Sequence, residues 1–268
     1  MPTAIETRDL RREFGSVTAV DSLSLDVQSG EVFGLLGPNG AGKTTTIKML
    51  ITLLPPTSGT ASVAGHDIIH ESRSVRRSIG YVPQLLSSDG ALSARENLDI
   101  SGRLYHIPGP ERRERIDAAL GFMDLADVAD NLVRTFSGGM VRRLEIAQAM
   151  LHRPPVLFLD EPTVGLDPTA RHAVWEHVRK LREREGTTIL LTTHYMDEAA
   201  ALCERVGIMH LGTLVALGTP ESLAAEVGPG ASLDDVFTHF TGSDLDDTAG
   251  GGTYRDVART RRTARRLG

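Results

Sequence analysis

The feature that most constrains the fold of this chain is a glycine-rich stretch, GPNGAGKT, at residues 37–44. An apolar run, EVFGLL (31–36), precedes it, and a helical pattern over 43–54, ended by two prolines, follows it. Its spacing, G-x-x-x-x-G-K-[ST], is typical of a turn between a buried strand and a helix that wraps its backbone N–H groups around a polyphosphate. We therefore expect an α/β fold with nucleotide-binding residues Gly37, Pro38, Asn39, Gly40, Ala41, Gly42, Lys43, Thr44 and Thr45.

Side chains in two separate motifs complete a predicted site for phosphoryl transfer. Lys43 would supply positive charge to the β and γ phosphates, and Thr44 would offer a hydroxyl to Mg²⁺. The stretch PVLFLDEP (155–162) places two carboxylates at the end of an apolar strand, where α/β sheets bind their ligands. We expect Asp160 to bind Mg²⁺ through water and Glu161 to orient and deprotonate the attacking water.

A histidine follows the next apolar strand, TTILLTT (187–193). A single histidine is more often structural than functional. His194, however, stands at the end of a strand of the same predicted sheet. We expect it to hydrogen-bond the γ-phosphate or the attacking water.

A second glycine-rich helix start lies about a hundred residues after the first, in TFSGGMVRRLE (135–145). The N-terminus of a helix offers free N–H groups and positive dipole charge to an anion. We expect Ser137, Gly138 and Gly139 to bind the phosphates of a nucleotide held by a second copy of the chain. A two-fold dimer would then contain two identical sites.

The pattern along the chain predicts a mostly parallel sheet with an antiparallel β part at the N-terminus and a helical insert at about 92–153. The nucleotide-binding domain would span 1–242 and end in a short helix at about 232–241. SLDDVFTHFTG (232–242) has a capping pattern and one apolar stripe, which would pack on the same domain or on a partner. The remainder, 243–268, is rich in glycine and arginine and is predicted to be disordered.

Composition excludes several classes of function. The net charge of −6 over 268 residues argues against nucleic-acid binding. The apolar runs are far shorter than the roughly 18 residues of a membrane-spanning helix, and no charged-then-apolar leader precedes them. The one cysteine, Cys203, forms no intramolecular disulfide and is expected at a buried helix position. We expect a cytosolic protein that does not itself cross a membrane.

The order of the motifs resembles the ATP-binding subunits of ABC transporters over about residues 4–225. The resemblance implies the ABC ATPase fold, ATP and Mg²⁺ as ligands, a second copy of the chain and separate transmembrane permease subunits as partners, and a location at the cytoplasmic face of the membrane. It also implies that Phe14 stacks on adenine, that Gln84 touches the Mg²⁺ site and relays its state to the permease, and that Asp167 communicates across the dimer. The motifs are 37–44, Gln84 in IGYVPQ, SGGM (137–140), 156–161, GLD (165–167) and His194.

The signature residues indicate one branch of the family, whereas the direction of transport is left open by the sequence. Phe136 and Met140 replace the leucine and glutamine of the family's commonest signature, and methionine donates no side-chain hydrogen bond. SGGM followed by RRLEIA is similar to the antibiotic-resistance branch typified by daunorubicin exporters. Export of a drug-like or lipid-like compound is the leading hypothesis. The alternatives are an importer subunit and a soluble ABC ATPase without a transport role, which would need a long coiled coil, a zinc insert or a second cassette.

Overall fold

The computed structural model describes residues 2–242, so the predicted disorder of 243–268 lies outside the described residues. Two sheets organise the described part. In the smaller, antiparallel sheet Ile5 pairs with Val27 and Leu10 with Leu23, which confirms the antiparallel start predicted from alternating apolar residues. Its strands, in the order β2-β1-β4-β5, are β1 (Thr3–Phe14), β2 (Val17–Gln28), β4 (Ser58–Val63) and β5 (His66–Asp67).

The larger sheet is mostly parallel and carries the predicted site residues at the ends of its strands. Its order is β10-β9-β3-β8-β7-β6, and only β9 and β10 pair antiparallel within it. The α/β fold predicted from the sequence is therefore confirmed. The strands are β3 (Val32–Leu36), β6 (Ile79–Val82), β7 (Val156–Asp160), β8 (Thr188–Thr193), β9 (Arg205–His210) and β10 (Thr213–Gly218).

Side chains of the central strands alternate between two hydrophobic cores, because successive residues of a strand face opposite sides. Phe158 packs under the antiparallel sheet and the first helix, whereas Leu157 and Leu159 pack against helices on the other face. The helices are α1 (Lys43–Leu50), α2 (Ser72–Arg77), α3 (Ala94–Leu104), α4 (Gly109–Phe122), α5 (Gly138–Met150), α6 (Pro168–Glu185), α7 (Met196–Leu202), α8 (Pro220–Val227) and α9 (Leu233–Thr241), with short 3-10 turns at Ala126–Val128 and Val133–Thr135.

Two local predictions were wrong in detail. Helix α1 ends at Leu50 and not at 54, because Thr52 takes a left-handed backbone (φ 65°) and the N–H groups of Leu53 and Leu54 both return to the Lys48 carbonyl. The prolines therefore do not end this helix. Cys203 is buried, but its extended backbone follows α7 and its sulfur packs over Gly34 of β3.

Helix α9 buries its apolar stripe within the same chain. Ser232 and Asp235 form a reciprocal capping box, and Gly242 ends the helix in a left-handed conformation. Val236 and Phe237 are fully buried in the core that also holds α7 and α8, with Phe240 partly buried beside them. Packing on the same domain is thus the interpretation that the contacts favour. Within residues 2–242, none of the helices combines the length and apolar character that crossing a membrane requires.

Candidate functional site

The predicted site residues follow the carboxyl ends of four parallel strands. The loop 37–45 follows β3, Gln84 lies two residues after β6, Asp160 ends β7, and His194 follows β8. Because β3, β8, β7 and β6 are consecutive neighbours in the sheet, their ends lie along one edge. This edge is where open α/β sheets place their ligands.

The loop 37–45 needs glycine at defined positions. Gly42 caps the N-terminus of α1 with φ 104°, and a Cβ atom built there would lie 2.5 Å from the Ala19 carbonyl oxygen. At Gly37, with φ 153°, a Cβ atom would lie 2.3 Å from the Met209 carbonyl oxygen. A side chain at either position would therefore both strain and displace the backbone. The loop directs the N-terminus of α1 toward the edge of the sheet, as an anion site requires.

Lys43 is buried at the centre of the site, with 4% of its surface exposed. Its Nζ donates to the Gly37 and Pro38 carbonyls at 2.6 and 3.2 Å and lies 3.1 Å from Glu161 Oε1. Burial lowers the pKa of Lys43, because water no longer solvates the ammonium, while the nearby carboxylates oppose that shift. The ammonium is thus held between the phosphate-binding loop and Glu161.

Asp160 is connected to the loop through two hydroxyl groups. Thr44 Oγ1 donates to Asp160 Oδ1 at 3.1 Å, and Thr192 Oγ1 donates to the same oxygen at 2.6 Å. Thr192 also accepts the Glu161 N–H on its hydroxyl at 3.0 Å. This threonine of β8, which was not among the predicted site residues, therefore fixes both acidic residues. The sequence signal was weak, because Thr192 is one of three threonines in the six-residue strand β8.

The backbone turns sharply at Glu161, and this turn brings the two carboxylates to the same place. Successive side chains of a strand face opposite ways, so Asp160 and Glu161 would diverge in a regular strand. Glu161 instead has φ 48°, in the left-handed region that residues other than glycine rarely adopt. Asp160 consequently reaches Thr44 and Glu161 reaches Lys43, both at the N-terminus of α1.

Gln84 and His194 both contact Glu161 Oε2. The Gln84 Nε2 atom lies 3.5 Å and the His194 Nδ1 atom 3.1 Å from this oxygen. Burial would raise the pKa of Glu161, but the hydrogen bond from His194 and the attraction of Lys43 outweigh it and lower the pKa. The carboxylate is therefore ionised at neutral pH and able to accept a proton.

The oxygen donors of the site fit Mg²⁺, which prefers hydroxyl, carboxylate, amide and water oxygens. The hydroxyl of Thr44 and the carboxylate of Asp160 lie within hydrogen-bonding distance of each other, at 3.1 Å. Gln84 brings an amide group to the adjacent Glu161. These three residues, Thr44, Gln84 and Asp160, are the ones predicted to hold the ion.

The second predicted phosphate-binding segment begins helix α5. Ser137 is its N-cap and accepts the Met140 N–H at 3.3 Å, so Met140 contributes through its backbone. Ser137 and Gly138 are exposed. Gly139 is buried, and a Cβ atom there would lie 2.7 Å from Ala170 Cβ at the start of α6. The start of the helix at Ser137 and Gly138 thus lies at the surface, whereas Gly139 packs against α6 and the Met140 N–H is bonded to Ser137.

The structure gives Phe14 and Asp167 different surroundings. Phe14 is 47% exposed at the end of β1, with the Arg12 guanidinium 4.6 Å from the ring centroid. It is not a core residue. Asp167 is exposed and caps α6, accepting the Ala170 N–H at 3.0 Å. Its carboxylate therefore already has a local role, beside the predicted one across a dimer.

A buried glutamate behind the site was not predicted. Glu198 of α7 is fully buried and accepts hydrogen bonds from Thr163 at 2.7 Å and from Trp175 at 2.9 Å. Burial raises the pKa of Glu198, which these hydrogen bonds partly oppose. The residue connects the segments that follow Glu161 and His194. Glu198 is recognised only by its hydrogen bonds to residues distant in the sequence, which the local sequence does not reveal.

Three features lie along one edge of the sheet: a phosphate-binding loop, an Asp-Glu pair at the end of a strand and a histidine at the end of another. Together they define a P-loop nucleoside triphosphatase. Comparison with known proteins narrows the class. The ABC transporter family model matches residues 20–164, and the chain belongs to this family as an ATP-binding subunit.

Relatives and solved structures agree with this assignment. The chain is 46% identical to a daunorubicin resistance ATP-binding protein of Streptomyces coeruleorubidus, covering 87% of this chain and 73% of the relative. It is also 46% identical to a Nod factor export ATP-binding protein I of Paraburkholderia xenovorans, covering 84% and 74%.

Two solved structures share the fold. The structure of an ATP-binding subunit of an ABC transporter is 32% identical, with a TM-score of 0.79 over 89% of this chain and 99% of that one. A dimeric, post-hydrolysis ATP-binding cassette bound to ADP and phosphate is 26% identical, with a TM-score of 0.71 over 80% and 98%. The resemblance expected from the motifs is therefore confirmed.

Proposed function

We propose that the chain hydrolyses ATP as the dimeric, energy-supplying subunit of an exporter of drug-like or lipid-like compounds. The observation that carries this proposal is the convergence of Lys43, Thr44, Asp160 and Glu161 at the N-terminus of α1. The assignment would place the subunit at the cytoplasmic face of the membrane, attached through a separate permease. The names of its relatives, which include a resistance protein and an export protein, support export over import.

The proposed reaction begins when the phosphates of ATP enter the loop 37–45. The Lys43 ammonium then exchanges its ion pair with Glu161 for the β and γ phosphates. Mg²⁺, held by Thr44, Asp160 and Gln84, would neutralise phosphate charge. Glu161 is left as an ionised carboxylate next to the γ-phosphate and accepts a proton from water. The water oxygen bonds to the γ-phosphorus, the bond to ADP breaks, and phosphate leaves.

His194 and Gln84 are proposed to hold Glu161 in position during this step. The His194 Nδ1 atom donates to the carboxylate oxygen Oε2, so the histidine ring and the carboxylate have a fixed relation. His194 Nε2 is then free in this proposal to contact the γ-phosphate or the water. Gln84 approaches the same carboxylate from the segment after β6.

The dimer is proposed to form around two ATP molecules. Positive charge and N–H donors are needed on the side of the γ-phosphate away from Lys43. The exposed start of α5, at Ser137 and Gly138, would provide such donors. The solved cassette described as dimeric supports the arrangement. Asp167, near this segment through Leu166, would communicate between the two sites.

A surface beside the sheet is proposed to bind the permease. A cavity of about 350 Å³ lies between the turn that follows α1 and the helices α3 and α5, lined in part by Leu53 and Tyr105. Leu85 and Leu86, which are 81% and 55% exposed, directly precede another lining residue, Ser87. Exposed apolar side chains beside a cavity are typical of a protein-binding surface. Gln84, adjacent to Leu85, would carry information from this surface to Glu161.

The first prediction concerns the general base. Glu161→Gln should keep ATP affinity and lower the ATP turnover number by roughly 10² to 10⁴, the usual size of a general-base effect. It should also stabilise an ATP-bound dimer, because hydrolysis no longer removes the ligand between the subunits. Turnover and size-exclusion mass in ATP and Mg²⁺ measure both effects. Glu183→Gln, at an exposed position of α6, is the matched control. Normal turnover in Glu161→Gln would refute the assignment.

The second prediction tests whether sites are shared between subunits. Lys43→Ala and Gly138→Asp should each abolish turnover alone. A mixed dimer of the two has one site with both lesions and one with neither, so activity should return in part. Gly121→Asp, at a helical glycine with open space around it, should stay active and shows that the substitution type is tolerated. A verified mixed dimer without activity would show that the site is not shared.

The third prediction concerns Phe14, which we propose stacks on adenine. Phe14→Ala should weaken ATP and GTP binding alike, by roughly 1–3 kcal/mol, the usual effect of removing a stacked aromatic ring. Stacking involves the π face of the base and not its edge, so ATP and GTP should both bind more weakly. Binding is measured by calorimetry, with exposed Val17→Ala as control. A lower melting temperature with unchanged affinities would instead identify a structural residue.

The fourth prediction concerns the permease surface. Leu85→Asp combined with Leu86→Asp should reduce co-purification with the permease at least tenfold, because two buried apolar contacts become charged. The ATP affinity and melting temperature of the isolated subunit should not change. Leu211→Asp, at a 79% exposed leucine in the β9–β10 turn, is the control. Equal co-purification of all three proteins would place the permease elsewhere.

The assembled transporter also tests the direction of transport. With ATP added outside inside-out vesicles, an exporter should accumulate a probe such as daunorubicin in the vesicle interior. ATP-dependent loss of a preloaded probe from the interior would indicate import instead.

A further inference from the structure

An ion pair inside helix α5 has no place in the reaction described above. Arg142 and Glu145 are 1% and 3% exposed, and Arg142 Nη1 lies 2.9 Å from Glu145 Oε2. Arg142 is among the largest fully buried side chains of the described residues. The next residue, Arg143, has the same charge but is only partly buried, with 17% of its side chain exposed, and it donates to the Met123 carbonyl at 2.7 Å. Two adjacent arginines of one helix thus differ in burial and in partners.

The buried pair holds one short piece of chain, segment 83–88. Arg142 donates from Nη1 to the Pro83 carbonyl at 2.7 Å and from Nη2 to the Gln84 carbonyl at 2.8 Å. Glu145 Oε1 accepts from the backbone N–H and the hydroxyl of Ser87 and from the Ser88 N–H at 3.3 Å. The start of the segment is therefore bonded to the arginine and its end to the glutamate.

Segment 83–88 contains the groups that connect the ATP site with the surface. The side chain of Gln84 approaches Glu161 Oε2, whereas Leu85 and Leu86 are exposed. The Gln84 carbonyl that Arg142 binds belongs to the same residue whose amide approaches Glu161. A planar guanidinium with two parallel donors fixes the direction of both carbonyls, which a lysine ammonium would not do. Displacement of Arg142 would therefore move the Gln84 side chain relative to Glu161.

Stability alone does not account for a charged pair at this place. Removing two charges from water is costly, and well-packed apolar residues of similar volume are often equally or more stabilising. Burial accordingly lowers the pKa of Arg142, although Glu145 and more distant carboxylates oppose that shift. The Arg142 Nε atom is also buried without a hydrogen-bond partner. Apolar residues would not supply the directional hydrogen bonds that fix segment 83–88.

We propose that Arg142 and Glu145 are positioning residues for ATP hydrolysis: they fix segment 83–88 on α5, so that Gln84 is presented to Glu161. The N-terminus of α5 is the segment Ser137–Gly139, so the pair also couples this phosphate-binding start to Gln84 as one unit. A permease that displaces Leu85 and Leu86 would move both together. The proposal rests on the proposed ATPase function, because it concerns the turnover step at Glu161.

The test replaces both charges together, so that no unpaired charge remains. Arg142→Met with Glu145→Leu should fold with an unchanged or higher melting temperature. Its ATP turnover number should nevertheless fall at least tenfold, with the KM for ATP within about twofold, because the loop 37–45 is intact. Arg143→Met, at the partly buried neighbour that does not contact segment 83–88, should keep the wild-type turnover number. A double variant with normal turnover would overturn the proposal.

A second measurement asks whether the effect passes through Gln84. In a Gln84→Ala background, adding the double substitution should lower the turnover number less than twofold further, because the group that it positions is already absent. A further tenfold loss would refute this route.

A third readout does not require hydrolysis. Amide exchange at Ser87 and Ser88 should accelerate at least tenfold in the double variant and stay unchanged in Arg143→Met. Unchanged exchange in the double variant would overturn the proposal about Arg142 and Glu145. This outcome is distinct from failure of the proposed function, which a wild-type turnover number independent of Glu161 would refute.

Discussion

The common edge at which β3, β8, β7 and β6 end constrains everything else in this molecule. Parallel pairing brings the loop 37–45, the Asp160–Glu161 pair and His194 together from positions spread over more than 150 residues of sequence. Apolar side chains on both faces bury the strands, so the polar chemistry is confined to their ends. The helices and the antiparallel sheet hold this edge in place.

At this edge the balance of charge depends on Lys43 and Glu161. Each is 4% exposed, so each needs a partner of opposite charge, and here each has the other. In the proposed function, the phosphates replace Glu161 as the partner of Lys43, which releases the carboxylate near water. Gln84 and His194 restrict its position, and the ion pair of Arg142 and Glu145 restricts Gln84 in turn. The path from α5 to the carboxylate therefore consists of specific hydrogen bonds.

The features predictable from the sequence are those that short patterns encode. Loop 37–45 and strand β7 are contiguous stretches whose residue types dictate the local backbone. The left-handed turn at Glu161 was not predictable, because its N–H is bonded to Thr192 of a strand about 30 residues away and the local sequence does not show this contact. Arg142 was also missed, because two adjacent arginines look alike in the sequence. Only the hydrogen bonds of Arg142 to the distant carbonyls of Pro83 and Gln84 distinguish it. The end of α1 was wrong because Thr52 adopts a backbone unusual for threonine.

The central claim is that one ATP lies between the loop 37–45 of one subunit and the start of α5 of another, next to Glu161. A structure of the chain determined with a slowly hydrolysed ATP analogue and Mg²⁺ tests it most directly. The account predicts two chains related by a two-fold axis, with Lys43 Nζ moved from Glu161 to the phosphates and the partner's Ser137 on the γ-phosphate. A nucleotide bound by a single chain, or Lys43 still paired with Glu161 in the presence of bound nucleotide, would contradict it.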